Sequence, residues 1–199
     1  MERKTIGIYG GSFNPIHMGH VTLARQLLGR HLLDEVWLMV SPLNPLKADS
    51  GQLLSDEIRL RLAQKAVEGE RGLRVCDLEF HLPRPSYTWN TLQVLRERYP
   101  LVDWVLLIGS DNWRIFPNWY RHEDILRTFR LLVYPRKGTE IIPESLPKGV
   151  TLAPTPLIDI SSTQVRQRVR SGLSITGMVP PAIERDVISY YKNIKIDKT

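Results

Sequence analysis

Cysteine is nearly absent from this chain, with only Cys76 among 199 residues. A lone thiol cannot close an internal disulfide and does not suggest a metal cluster, so a reduced, cytoplasmic setting is expected. Long apolar runs are missing too. No stretch approaches the roughly 20 residues of a membrane span, and no membrane partner is expected. The start, Met1-Glu2-Arg3-Lys4, leads into a short apolar segment broken by glycines and lacks the long apolar region of a secretory signal. There is no internal repeat and no low-complexity segment. A composition of 42% hydrophobic, 24% charged and 8% aromatic residues excludes disordered, collagen-like and coiled-coil chains. Acids are the scarcer charge, 21 against 27 Lys+Arg, which leaves a net +6. That excess suits a polyanionic partner such as nucleic acid, a nucleotide or phosphate, and equally a merely soluble basic surface.

What is present is a regular alternation of elements. Continuous apolar runs at residues 5–9, 35–41, 104–108 and 130–134 read as strands covered on both faces, with weaker ones at 73–80 and 150–153. Between them lie segments with helical spacing, at 20–33, 56–67, 88–99, 161–171 and 181–191. Leu23, Leu27 and Leu28 make an apolar stripe in the first. In the second, Ile58, Leu62, Ala63 and Ala66 lie on one side behind Ser55 as N-cap. Leu92 and Leu95 point inward in the third. This repetition predicts an α/β fold with parallel strands and right-handed crossovers. A length of 199 residues fits one domain over 1–199. Residues 135–148 read as an exposed connection.

The segment most suited to chemistry directly follows the first strand: Gly10-Gly11-Ser12-Phe13-Asn14-Pro15-Ile16-His17-Met18-Gly19-His20. Paired glycines permit a sharp turn and close approach of main-chain N–H groups to a ligand. A helix starting near residues 17–19 points its own free N–H groups at the same space, which favours phosphate. His17 and His20, three apart, share one face of the first helical turn and form a clamp for charge on a phosphoryl oxygen. A His-x-x-His pair also suits a metal, though no cysteine or carboxylate stands nearby at ligand spacing. The segment is neither a P-loop nor a Gly-x-Gly-x-x-Gly turn.

This stretch resembles the signature of the HxGH nucleotidylyltransferases. A second mark, Ile160-Ser161-Ser162-Thr163-Gln164-Val165-Arg166, is similar to their Ile-Ser-Ser/Ala-Thr-x-x-Arg segment. Physically it is another helix start, where small hydroxyls cap the helix and Arg166 brings a cation one turn in. Three further segments narrow the likeness to bacterial nicotinate-nucleotide adenylyltransferases: Pro85-Ser86-Tyr87-Thr88 with Thr91-Leu92, then Gly109-Ser110-Asp111, then Phe116-Pro117-Asn118-Trp119-Tyr120. The resemblance implies a Rossmann-like doubly wound, mainly parallel sheet flanked by helices, with a small helical C-terminal part.

It also implies a reaction, in which nicotinate mononucleotide attacks the α-phosphorus of ATP to give deamido-NAD and pyrophosphate. His17 and His20 are the catalytic candidates. ATP falls to Gly10, Gly11, Ser12, Phe13, His20, Ser161, Ser162, Thr163 and Arg166. The mononucleotide falls to Lys47, Thr88, Asp111, Trp119 and Tyr120. Trp119 stacks on the pyridine ring in this scheme, and backbone amides near Thr88 and Tyr120 take the carboxylate. Lys47 is either a neutraliser of the mononucleotide phosphate or a solvated lysine. Mg²⁺ accompanies ATP, with no side chain assigned as its ligand; Asp111 is open to Mg²⁺, to ribose or to the Thr88 region. Many family members have Asp where this chain has Asn14, which removes a charge but keeps the turn geometry. Trp37 and Trp104 read as core, with Trp89 and Trp113 open. His31 is placed at the end of the first helix, and His81 and His122 in loops without partners. The rivals are transfer to another acceptor, such as nicotinamide mononucleotide or phosphopantetheine, and a nucleic-acid-binding module. No nucleic-acid partner is expected on the preferred reading, and a homo-oligomer is compatible with the sequence.

Overall fold

In a computed structural model, residues 3–42 and 53–192 are described. Lys47 lies outside the described residues. Six strands form one sheet: β1 (Lys4–Gly11), β2 (Glu35–Val40), β3 (Leu73–Cys76), β4 (Val102–Gly109), β5 (Arg130–Tyr134) and β6 (Val150–Leu152). Their order is β3-β2-β1-β4-β5-β6 and every neighbouring pair is parallel. The helices are α1 (Met18–Gly29), α2 (Asp56–Ala66), α3 (Thr88–Arg98), α4 (Ser110–Arg114), α5 (His122–Thr128), α6 (Ser162–Arg170) and α7 (Glu184–Lys192).

Alternation along the central strands sorts their side chains between two cores. Ile6 and Ile8 of β1 join Trp104, Leu106 and Ile108 of β4 on the face that also packs Leu92 and Leu95 of α3. Tyr9, Val105 and Leu107 face the other way, toward α1, α2, α6 and α7. With both faces covered, the strands read as continuous apolar runs. The chain reverses winding direction between β1 and β4, and in open parallel sheets that crevice at the carboxyl ends is where ligands bind.

The elements depart from the sequence reading at identifiable points. The segment 73–80 is strand only to Cys76 and then turns as a 3-10 helix over Leu78–His81. Helices α4 and α5 were missed because they are 5 and 7 residues long, too short to show an apolar stripe. Helix α1 ends at Gly29, so His31 lies past its C-terminus with φ +54° rather than in its last turn. His81 sits 3.6 Å from Asp77 and His122 lies edge-on to Phe116, so both have neighbours. Trp104 is core as expected, Trp113 stacks on Phe116, and Trp89 lies beneath the Arg121 guanidinium at 4.7 Å.

Candidate active site

Gly10 and Gly11 turn out to be the last residues of β1, in register with Met39 and Val40. Neither has a positive φ. The left-handed residue is Phe13, φ +43°, whose ring is buried and edge-on to His20 at 4.9 Å. The glycines therefore serve space more than torsion: a Cβ on Gly10 would meet nothing within 4 Å, whereas one on Gly11 would press on the Phe13 ring at 3.2 Å.

His17 is the N-cap of α1 and His20 its third residue. Their rings stack with centroids 3.7 Å apart. A side chain on Gly19 would meet the His17 ring at 2.9 Å, so the glycine between the histidines lets that ring fold back over the helix start. The main-chain N–H of His17 donates to His20 Nδ1 at 3.1 Å. That bond leaves the imidazole proton of His20 on Nε2, making Nε2 the donor. His17 is only 2% exposed. Burial first, and then the nearby Arg136 cation, pull its pKa down to about 3, so the ring is neutral. Its Nδ1 is buried with no hydrogen-bond partner.

The second helix start meets this turn across 147 positions of sequence. Ser161 caps α6 in a reciprocal box with Gln164. Ser162 Oγ donates to the Pro15 carbonyl at 2.9 Å. Arg166 reaches the Asn14 carbonyl through Nη1 at 2.7 Å and Thr163 Oγ1 through Nη2 at 3.2 Å. Asn14 Oδ1 accepts from the Leu54 N–H and from the Tyr191 hydroxyl of α7. Asn14 is thus a buried joint between the first turn, the approach to α2, and α7.

One side chain organising this region escaped the sequence reading. Arg59 of α2 is wholly buried. Its five N–H donors go to the carbonyls of Leu54, Ser12, Ser41 and Pro42 and to the Asp56 carboxylate. It clamps together the chain segments leaving β1 and β2. The signal was present, since Arg59 precedes Leu62 and Ala63 by three and four and so falls on the apolar face.

Beside the phosphate-type turn a cleft opens between the ends of β1 and β4, the start of α3, and the residues after α4. Its empty volume is about 990 Å³, open solvent included. Of the expected residues, Gly10, Gly11, Thr88, Trp119 and Tyr120 line it. Trp119 is half-buried, with its ring against Phe116 at 5.3 Å and its Nε1 without a partner. Tyr120 pairs with Tyr87 across the mouth, centroids 4.8 Å apart. Asp111 stands at the edge, half-exposed, its carboxylate 3.9 Å from Arg136 and folded over Gly109; Asn112 takes the lining place. A Cβ on Gly109 would collide with that carboxylate. Arg136 was also missed, although its place just after a parallel strand is where ligand contacts concentrate. Among the described residues no group of three or more His, Cys, Asp or Glu could hold a metal ion, and no helix is long and apolar enough to cross a membrane.

A doubly wound sheet with a His-x-Gly-His helix start and a hydroxyl-capped helix start at one carboxyl edge defines a nucleotidyl-transfer site. The family model described as cytidylyltransferase-like matches residues 8–168. A probable nicotinate-nucleotide adenylyltransferase of Bacteroides fragilis is 45% identical over 98% of this chain and 96% of its own length. One of Cytophaga hutchinsonii is 40% identical over 94% and 98%. The nicotinic acid mononucleotide adenylyltransferase of Plasmodium falciparum, solved in complex with NaAD, superposes with a TM-score of 0.77 at 21% identity, covering 94% of each chain. This chain belongs to the cytidylyltransferase-like family, among its nicotinate-nucleotide adenylyltransferases.

Proposed function

We infer that the protein joins ATP to nicotinate mononucleotide, forming deamido-NAD and releasing pyrophosphate, as a step of NAD biosynthesis carried out in the cytoplasm by one domain spanning 1–199. The observation that carries this reading is the stitching of two phosphate-type helix starts to one turn, through Ser162 to Pro15 and Arg166 to Asn14. They lie beside a cleft lined by Thr88, Trp119 and Tyr120.

The mononucleotide phosphate oxygen attacks the α-phosphorus of ATP. A new P–O bond forms as the bond to the bridging oxygen breaks, and the electron pair leaves with pyrophosphate. No covalent enzyme intermediate is required, so catalysis rests on positioning and charge stabilisation. His20 Nε2–H donates to a non-bridging oxygen of the α-phosphoryl group. His17, neutral and stacked, holds that ring in place. Ser161, Ser162 and Thr163 bring the start of α6 toward the triphosphate, with Arg166 adding positive charge. Trp119 lies flat against the pyridinium, a contact of about 0.5–2 kcal/mol. A divalent cation such as Mg²⁺ arriving with ATP would supply neutralisation of triphosphate charge, and no side chain is assigned as its ligand.

Pyrophosphate release measured with ATP plus each mononucleotide in turn tests the assignment. Turnover with the nicotinate form should exceed that with the amide form. Equal or greater turnover with nicotinamide mononucleotide would overturn the substrate choice.

A further inference from the structure

Among the described residues, one charged side chain in the cleft has no role in the scheme above. Glu79, in the 3-10 turn after β3, is 6% exposed and lines the cleft beside Ser86, Thr88 and Thr91. Among the described residues it makes no ion pair that would offset the burial of a carboxyl group. Burial raises its pKa, and the geometric hydrogen bond it accepts is from a hydroxyl, Thr91 Oγ1 to Glu79 Oε1 at 2.8 Å, with the Ser41 hydroxyl also acting on it. These hydroxyls come from the residue after β2 and from α3. A buried carboxyl without a cation is costly, and an apolar residue of similar size would fill the space at less cost. What an apolar residue cannot do is hold hydroxyls from separate segments at one point.

Thr91 is the lever. It is 1% exposed, and its hydroxyl also approaches the Tyr87 carbonyl at 3.4 Å. Its main-chain N–H bonds the same carbonyl at 3.2 Å. Tyr87 is the N-cap of α3 and Thr88 its first residue, yet Tyr87 makes no side-chain capping bond. The first turn of α3 is therefore fixed from inside, through Thr91.

We propose that Glu79 is a positioning residue of the acceptor pocket, which holds the first turn of α3 through Thr91 so that Tyr87 and Thr88 keep their place against the mononucleotide. The proposal rests on the reading that this cleft takes the mononucleotide. The side-chain bonds that hold the phosphate-type turn, those of Arg59, Ser162 and Arg166, do not include Glu79.

Steady-state kinetics with each substrate varied separately test it, using Glu79→Ala, Glu79→Gln, Thr91→Val and the Glu79→Ala/Thr91→Val double variant. Glu79→Ala and Thr91→Val should each raise KM for nicotinate mononucleotide about tenfold, the scale of one lost charge-assisted hydrogen bond. KM for ATP should stay within about twofold. Glu79→Gln keeps an acceptor oxygen and should recover most of the loss. The double variant should be no worse than either single one, because both remove the same bond. Additive losses, equal rises in both KM values, or an effect confined to kcat would overturn the proposal. A wild-type protein that does not use nicotinate mononucleotide would instead overturn the functional reading, so the two failures are distinct. Should Glu79→Ala not fold, Thr91→Val and Glu79→Gln carry the same test.

Discussion

His17 and His20 share a motif but not an environment. His17 is enclosed and kept neutral, with a pKa near 3 set chiefly by burial. In the unfolded chain the same imidazole takes a proton near its ordinary value of about 6.5. The unfolded state therefore binds more protons between those values. Stability from this group is complete above about pH 6.5 and falls as pH drops toward 3, by at most ~1.4 kcal/mol per pH unit. Urea melts at pH 7, 6 and 5, above the range where most carboxylates titrate, should show wild type losing stability faster than His17→Gln. Parallel losses in the two proteins would remove His17 as the source. His20 has its Nδ1 engaged by a main-chain N–H and its proton on Nε2. His20→Ala should lower kcat roughly 10²–10³-fold, the scale of losing one oxyanion donor. Nearly full turnover in that variant would end its assignment as the charge-stabilising group. The sequence disclosed the identity and spacing of these residues, but not which ring is buried.

At the scale of elements, the site depends on how loops leave the sheet. Arg59 gathers carbonyls from the segments after β1 and β2 and adds a bond to Asp56, whose second oxygen is held by Arg84. Replacing it leaves several buried carbonyls unsatisfied. Arg59→Met should cost about 3 kcal/mol of unfolding free energy in denaturant melts, and a change under about 1 kcal/mol would show that water satisfies those groups. The longer helices were legible because their stripes and caps are local: Ser55 and Ser161 cap α2 and α6 as their positions suggest. The short α4 and α5 were not, nor was the end of β3 at Cys76, since there packing decides what a few residues become. The glycines of the first turn teach the same lesson. The sequence suggests both a sharp turn and close main-chain approach at these glycines; the strand continues through them, and Phe13 takes the left-handed turn.

For the whole molecule, the net charge of +6 decides little. Among the described residues, positive groups at the site hold specific places: Arg136 near His17 and Asp111, Arg59 on the Ser12 carbonyl and Arg166 on the Asn14 carbonyl. A nucleic-acid module would show retention on DNA that weakens steeply with salt. This protein should pass a DNA column unretained at about 0.15 M salt; strong retention there would revive the rival reading. Continuous apolar runs and short-range motifs are enough to foresee a parallel α/β sheet and the starts of α1 and α6, because apolar runs, helix period and caps are written in neighbouring residues. The strand order β3-β2-β1-β4-β5-β6 required the assembled chain. So did the meeting of Ser162 with Pro15, the seat of Tyr191 against Asn14, the burial of Arg59, and the place of Glu79 in the cleft. Each of these is a bond or a burial between residues far apart in sequence, and only packing around a common core brings such residues within reach.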